Sequence, residues 1–439
     1  MNQTERERLS SRTQKRYLWL RFKNGCISLK HKKLKIMPLA IFWAAVILTW
    51  HIGRGNFSLG EAEYLSPAIP ALAKLVLPAL FIGGTVLILI LYGTPMGAGS
   101  FENAFLRIGL INKVGETPIL ISVRHGSRRE KIGIYEFDGV GIPFVEWENK
   151  RQWIEAALNV HIVKLKEGQS KRRIVLHTVP AGRGLSDRIA WKDAYLIQDS
   201  STLVLGRSIS GTATVNLAKI PHILLGGSTG SGKSVLLKLL LMQATKKNMA
   251  VCIADFKGGV DFSAVWQRSC RMCFDEVSLL SLMDELIHEL QRRKTIFRES
   301  GSPNIDEYNR KTGNHLQRYI FACDEVAELL DKTGMTKEQK ETTMRAESRL
   351  AMIARQGRAF GIHLILATQR PDANILPGQI RNNMDCRVCG RADTVLSQII
   401  LDSTAAAEQI PKDTAGRFLL HDGTVFQAFW FDETKMQGE

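Results

Sequence analysis

The chain has 439 residues, enough for two or three domains, and 45% of them are hydrophobic, so a large core can be buried. A formal charge of +16 points to an anionic partner, either nucleic acid or a membrane surface. The seven cysteines suggest no disulfide framework, which excludes a disulfide-stapled scaffold.

The basic excess is uneven: residues 1–36 hold 11 Lys/Arg against 2 Glu, a net of +9. Residues 1–35 read as a cytosolic tail whose charge sets membrane topology, with a nucleic-acid-binding arm as the alternative. Ile36–Ile52 and Leu75–Tyr92 are apolar runs without Asp, Glu, Lys or Arg. Each is near the length that crosses a bilayer, and neither has the polar stripe of a soluble helix. The expectation for 36–92 is two transmembrane helices around a short external loop, about Gly53 to Lys74. Both termini would then be cytosolic, in a multi-pass protein of the cytoplasmic membrane.

Residues 93–200 mix short β-like runs (Pro118–Val123, Lys131–Phe137, Asn159–Leu165, Arg173–His177) with a helical stretch, Lys150–Leu158. They read as a small α/β membrane-proximal domain without a catalytic constellation. From Ser201 to Glu439 strand, loop and helix alternate, the mark of a parallel α/β sheet. The expected strands are His222–Leu225, Ala250–Asp255, Tyr319–Cys323, His363–Ala367 and Arg387–Gly390. Leu279, Met283, Leu286 and Leu290 line one face of a helix. A C-terminal hairpin turns at Asp422-Gly423. Cys270/Cys273 and Cys386/Cys389 have the spacing of zinc ligands. They lie in strand-like runs, where residues i and i+3 face opposite sides, so they read as core cysteines.

Gly227-Ser228-Thr229-Gly230-Ser231-Gly232-Lys233-Ser234 is a complete GxxxxGK[ST] loop between an apolar strand and a helical run that starts at Val235. Such a loop wraps a phosphate in backbone N–H groups, and the helix N-terminus adds its dipole. Lys233 would reach the β- and γ-phosphates of ATP, and Ser234 would bind Mg²⁺. About 90 residues on, an apolar strand ends in Asp324-Glu325. Asp324 would hold the Mg²⁺ shell, and Glu325 would act as general base on the attacking water. Thr368-Gln369-Arg370-Pro371 ends another strand, where ligands bind in open α/β sheets, and Gln369 could sense the γ-phosphate or hold the water. Arg355, Arg358, Arg387 and Arg391 are candidates for an arginine supplied by a neighbouring subunit, with Arg358 and Arg391 preferred.

Read together, Asn216–Val235, Ala359–Pro371 and the Asp324-Glu325 pair resemble the FtsK/SpoIIIE family, over about Ser201 to Phe431, with Thr202–Gly211 similar to the segment that leads into its motor. The resemblance implies a RecA-like P-loop ATPase domain preceded by two transmembrane helices and the small α/β domain. It implies a homo-hexameric ring with ATP between subunits, moving DNA through a central channel. The outline, with two spans, no long linker and no room for a winged helix, is similar to TcpA-like coupling proteins of conjugative elements. That similarity implies a relaxase and channel proteins as partners. Chromosome or plasmid partitioning, and a type VII-like protein secretion ATPase, are the competing expectations.

Overall fold

A computed structural model describes residues 3–31, 36–56, 68–126, 132–182, 184–369 and 376–433. Residues 57–67 of the expected external loop, and Arg370 and Pro371, lie outside the described residues. The chain divides into two compact units, 1–182 and 183–439.

In the first unit the basic segment forms a helix, α1 (Gln3–His31), followed by α2 (Ile36–Asn56) and α3 (Ala68–Gly93). Among the described residues one helix, over Val76–Gly93, is long and apolar enough to cross a membrane. The apolar stretch of α2, Ile36–His51, is shorter. Helix α1 runs antiparallel along the C-terminal part of α3, and two glycines set the closeness of the approach. A Cβ on Gly25 would lie 1.9 Å from the carbonyl oxygen of Leu89, and one on Gly93 1.8 Å from that of Arg21. Small residues at such a crossing let two backbones touch.

The rest of this unit comprises α4 (Ala98–Arg107), β1 (Ile119–His125), β2 (Gly133–Asp138), α5 (Phe144–Asn149), α6 (Arg151–Leu158), β3 (Val160–Glu167) and β4 (Arg173–Pro180). The strands form an antiparallel sheet in the order β1-β2-β4-β3. Alternation places Leu120, Phe137, Ile174 and Leu176 on one face, where they meet Phe105, Trp147 and Ile154 of the helices. Phe105 packs edge-on against both Phe137 and Trp147.

The second unit opens with β5 (Ile189–Ala190), the hairpin β6 (Thr202–Ser208) and β7 (Gly211–Asn216), then β8 (Ile223–Gly226) and α7 (Lys233–Lys246). It continues through β9 (Ala250–Ala254), α8 (Ala264–Ser269), β10 (Arg271–Cys273), α9 (Glu276–Ser300), α10 (Ile305–Thr312) and β11 (Tyr319–Cys323). Then come α11 (Val326–Leu330), α12 (Lys337–Phe360), β12 (Ile362–Thr368), α13 (Gly378–Arg381) and β13 (Cys386–Cys389). The last elements are α14 (Thr394–Leu401), α15 (Ala405–Gln409), β14 (Arg417–Leu420) and β15 (Val425–Trp430). The expected strands of this region all occur, shifted by a residue or so at their ends. Residues 184–200, expected with the small domain, fall in this unit instead, because β5 pairs with Phe429–Trp430 of β15.

The sheet order is β10-β9-β11-β12-β8-β13-β14-β15-β6-β7. From β10 to β13 neighbours are parallel, and from β13 to β7 they are antiparallel. Parallel strands are buried on both faces and read as continuous apolar runs. Strand β12 is one: Leu364 and Leu366 pack towards α9 and α12, and Ile365 and Ala367 towards α7. Cys386 and Cys389 likewise fall on opposite faces of β13, in different core clusters, and burial pushes both thiols up to about 12. Helix α7 is apolar nearly all round and buried accordingly. Its one buried amide, Gln243, accepts from Val204 N–H and donates to Val204 C=O, both at 2.8 Å. That pairing satisfies β6 where its register shifts.

Two histidines are fully buried beside the strands that lead to the candidate site. His222 Nδ1 accepts from the Leu364 N–H at 2.9 Å, and His363 Nδ1 donates to Pro221 C=O at 3.0 Å. Burial pushes His222 down to about 4, and burial with the nearby Arg318 holds His363 well below the usual histidine range. Both are neutral when folded but take up protons near pH 6.5 when unfolded. Their contribution is therefore complete above pH 6.5 and declines as pH falls towards 4. Between pH 7 and 5 the urea midpoint of the second unit should drop, with about 2 kcal/mol of unfolding free energy lost through His222 alone and a further loss through His363. The drop should shrink in His222→Gln, and a pH-independent midpoint would show that the rings charge where they lie.

Candidate functional site

The site gathers at the C-terminal ends of five adjacent parallel strands, β9, β11, β12, β8 and β13. After β8 the chain turns through Gly227–Gly232 and enters α7 at Lys233. Gly232 has φ +95°, and a Cβ there would sit 2.9 Å from Gly416 N, so a side chain is excluded twice over. Both flanks of the loop are held. Gly416 N–H donates to Ser231 C=O at 2.8 Å, and Ser228 N–H donates to Arg391 C=O at 2.7 Å. The Arg391 guanidinium donates to Thr229 C=O at 2.6 Å and to Lys412 C=O at 2.7 Å. Gly230 and Thr229 are exposed at the tip, and Val235 is exposed on the first turn of α7.

Strand β11 delivers Asp324 and Glu325, 3% and 7% exposed. Lys233 Nζ donates to Asp324 Oδ1 at 2.9 Å and to its carbonyl oxygen at 2.6 Å. Ser234 Oγ donates to Asp324 Oδ1 at 3.1 Å. Burial works to raise the Asp324 carboxyl, but Lys233, Lys257 and Ser234 outweigh it and hold it below the usual range. Asp324 and Ser234 therefore put two hard oxygen donors side by side with a buried cation, a set that suits Mg²⁺ with a phosphate. Glu325 accepts from Thr368 Oγ at 2.7 Å and from Gln369 N–H at 2.9 Å. The Gln369 side chain accepts from Thr229 Oγ1 at 2.9 Å, tying β12 to the loop.

Lys233, Ser234, Asp324, Glu325, Gln369 and the loop Gly227–Val235 thus lie together, each at a position named from sequence. Of the four arginines, Arg391 joins them, and Arg355, Arg358 and Arg387 do not. Arg391, expected as a candidate to act on a neighbour's phosphates, is engaged by its own loop, because β13 lies beside β8 and delivers it there. Arg358 is exposed on the last turn of α12, donating to Ala218 C=O at 3.2 Å. It precedes the start of β12, whereas the loop follows the end of the parallel β8, so Arg358 sits at the opposite edge of the sheet from its own site. Arg355 is exposed and bonds Gln379, and Arg387 is held by Asp402, Met384 and Arg381.

Sequence reasoning missed Lys257. Its Nζ lies 3.6 Å from Asp324 Oδ2 and 3.0 Å from Asp261 Oδ2. The available signal was Asp255-Phe-Lys257-Gly-Gly directly after an expected strand, but only strand order puts that turn beside Asp324.

Residues 185–373 match the FtsK/SpoIIIE family. A solved structure of the pCW3 conjugation coupling protein TcpA, in monomer form with ATPγS, is 36% identical, with a TM-score of 0.57. The match covers 77% of this chain and 96% of that one. The chain belongs to the FtsK/SpoIIIE family. It is accordingly a P-loop ATPase. The DNA translocase FtsK of Helicobacter pylori strain J99 is 32% identical over 253 residues, 52% of this chain and 29% of that protein. The DNA translocase SftA of Bacillus subtilis strain 168 is 30% identical over 221 residues, 48% of this chain and 22% of that protein. The chain thus spans under a third of the length of these two FtsK/SpoIIIE relatives.

Proposed function

We propose that this chain is a membrane-anchored, ATP-driven DNA translocase that serves as the coupling protein of conjugative DNA transfer. The observation that carries the reading is the contiguous Lys233–Asp324–Glu325–Gln369 arrangement, in a chain similar to TcpA over nearly all of that structure. Bound Mg²⁺ and ATP would supply the phosphoryl group to be transferred and the charge that activates it. Lys233 leaves Asp324 for the β- and γ-phosphates, and the N–H groups of Gly227–Val235 hold the phosphate chain. Ser234 and Asp324 would hold the metal through their side-chain oxygens. Glu325 takes the proton of the attacking water, and Gln369 positions that water against the γ-phosphate. Arg358, exposed at the far edge of the sheet, is the remaining preferred candidate for a finger offered to the next subunit of a homo-hexamer. Helix α3, with α2 as a second span, anchors the ring at the cytoplasmic membrane beside the relaxase and the transfer channel.

The full chain in lipid nanodiscs should hydrolyse ATP faster when DNA is added. The gain should fall steeply with salt, because phosphate contacts dominate binding that reads no sequence. Lys233→Ala should abolish both rates. Identical rates with and without DNA, in a confirmed oligomer, would favour a protein-secretion ATPase instead.

A further inference from the structure

The Asp324 carboxylate carries two ammonium groups. Lys233 donates to Oδ1 at 2.9 Å, Ser234 Oγ reaches Oδ1 at 3.1 Å and Oδ2 at 3.3 Å, and Lys257 faces Oδ2 at 3.6 Å. The proposed reaction gives Lys233 a destination on the phosphates but gives Lys257 none. A divalent ion bound to this carboxylate sits about 2 Å from an oxygen. Lys257, left where it is, would face a doubly charged cation across a group 3% exposed to solvent. It has another partner within reach. Asp261, four residues along the same loop, lies 3.0 Å from its Nζ, and both side chains are about one third exposed. Burial works to lower the Lys257 ammonium, yet Asp261 and then Asp324 hold it above the usual lysine range. Between the two residues, Gly258 and Gly259 have φ +73° and +83°, a backbone that side chains resist, and Val260 at the tip is 85% exposed.

We infer that Lys257 is the counter-ion a divalent cation displaces from Asp324, so that it limits the metal affinity of the site and ties the loop 257–261 to metal occupancy. The inference rests on the reading of Asp324 as a metal ligand. Lys257 bridges Asp324 and Asp261 and pins the loop to the end of β11. When metal arrives the bridge opens, Lys257 retains Asp261, and the loop is released from the sheet. Lys257 is thus a positioning residue that acts through Asp324.

The test uses the full chain, Mn²⁺ with ADP as the probe, and electron paramagnetic resonance to count bound metal. Lys257→Met keeps the stem and removes the charge, and should bind Mn²⁺ at least about fivefold tighter, the effect of one unit charge near 4 Å even at the dielectric constant of water. Lys257→Arg should bind as the wild type does. Hydrogen exchange gives an independent readout. Amides 257–262 of the wild type should exchange faster once Mn²⁺ and ADP are added, and those of Lys257→Met should be fast from the start. Unchanged or weaker Mn²⁺ binding by folded Lys257→Met would overturn the inference. If that variant does not fold, wild-type exchange at 257–262 that ignores Mn²⁺ would overturn it equally. Failure of the wild type to bind Mn²⁺ with ADP would remove the metal reading of Asp324 and this inference together.

Discussion

Glu325→Gln should hold ATP as tightly as the wild type and hydrolyse it at least about 100-fold more slowly, the low end of what general-base catalysis contributes. The amide fits the same pocket. Its oxygen can accept from Gln369 N–H, and the Thr368 hydroxyl can turn to accept from its nitrogen, so the two shorter contacts of Glu325 survive and only the 3.4 Å bond from Ala327 N–H is lost. What the amide lacks is the ability to take a proton from water. Nucleotide retention on a filter, followed by single-turnover hydrolysis, separates binding from chemistry. A wild-type rate would remove Glu325 from the role of base.

Lys233→Met should lose ATP binding and hydrolysis together, and it should also weaken the empty protein. Lys233 and Asp324 are each 3% exposed, and breaking a buried pair from one side costs about 3–5 kcal/mol. Ser234 and Lys257 remain to face the carboxylate, so the expected loss is towards the lower end of that range. Adding Asp324→Asn should restore much of the stability and none of the activity, because the stranded charge is gone. Urea midpoints of the two single variants and the double variant, measured without nucleotide, complete the cycle. Strictly additive losses would mean that the pair is not coupled in the folded chain.

Strands β8, β9, β11 and β12 were readable because each is an apolar run of the length that burial on both faces demands, followed by polar residues that mark its end, whereas β10 is three residues starting with an exposed arginine. The loop at Gly227–Ser234 and the pair Asp324-Glu325 were readable because chemistry restricts which residues can stand there. What stayed hidden depends on lateral order. Nothing in the residues of β13 says that it lies beside β8, so Arg391 looked available to a neighbour while it braces its own loop. Nothing in β9 says that its end reaches β11, so Lys257 went unremarked. Strand β5 is two residues long, too short for any periodicity, and the stretch from 183 was therefore expected with the other unit. Helix α1 was hidden for another reason. Its sequence has no apolar stripe, and what holds it includes a glycine contact with α3 and the Arg21–Glu102 ion pair.

The loop between β8 and α7 is clamped by Gly416 on one side and by Arg391 on the other, both from its own chain. A loop that must order itself around a ligand gives up about 1–2 kcal/mol of backbone entropy per residue at the moment of binding. Here that loss was incurred during folding. Calorimetry of nucleotide association should accordingly register little ordering entropy from residues 227–232, and the encounter rate should not wait on loop closure. The same rigidity makes discharge of the product the business of other parts of the protein, since a cradle that does not open cannot expel what it holds.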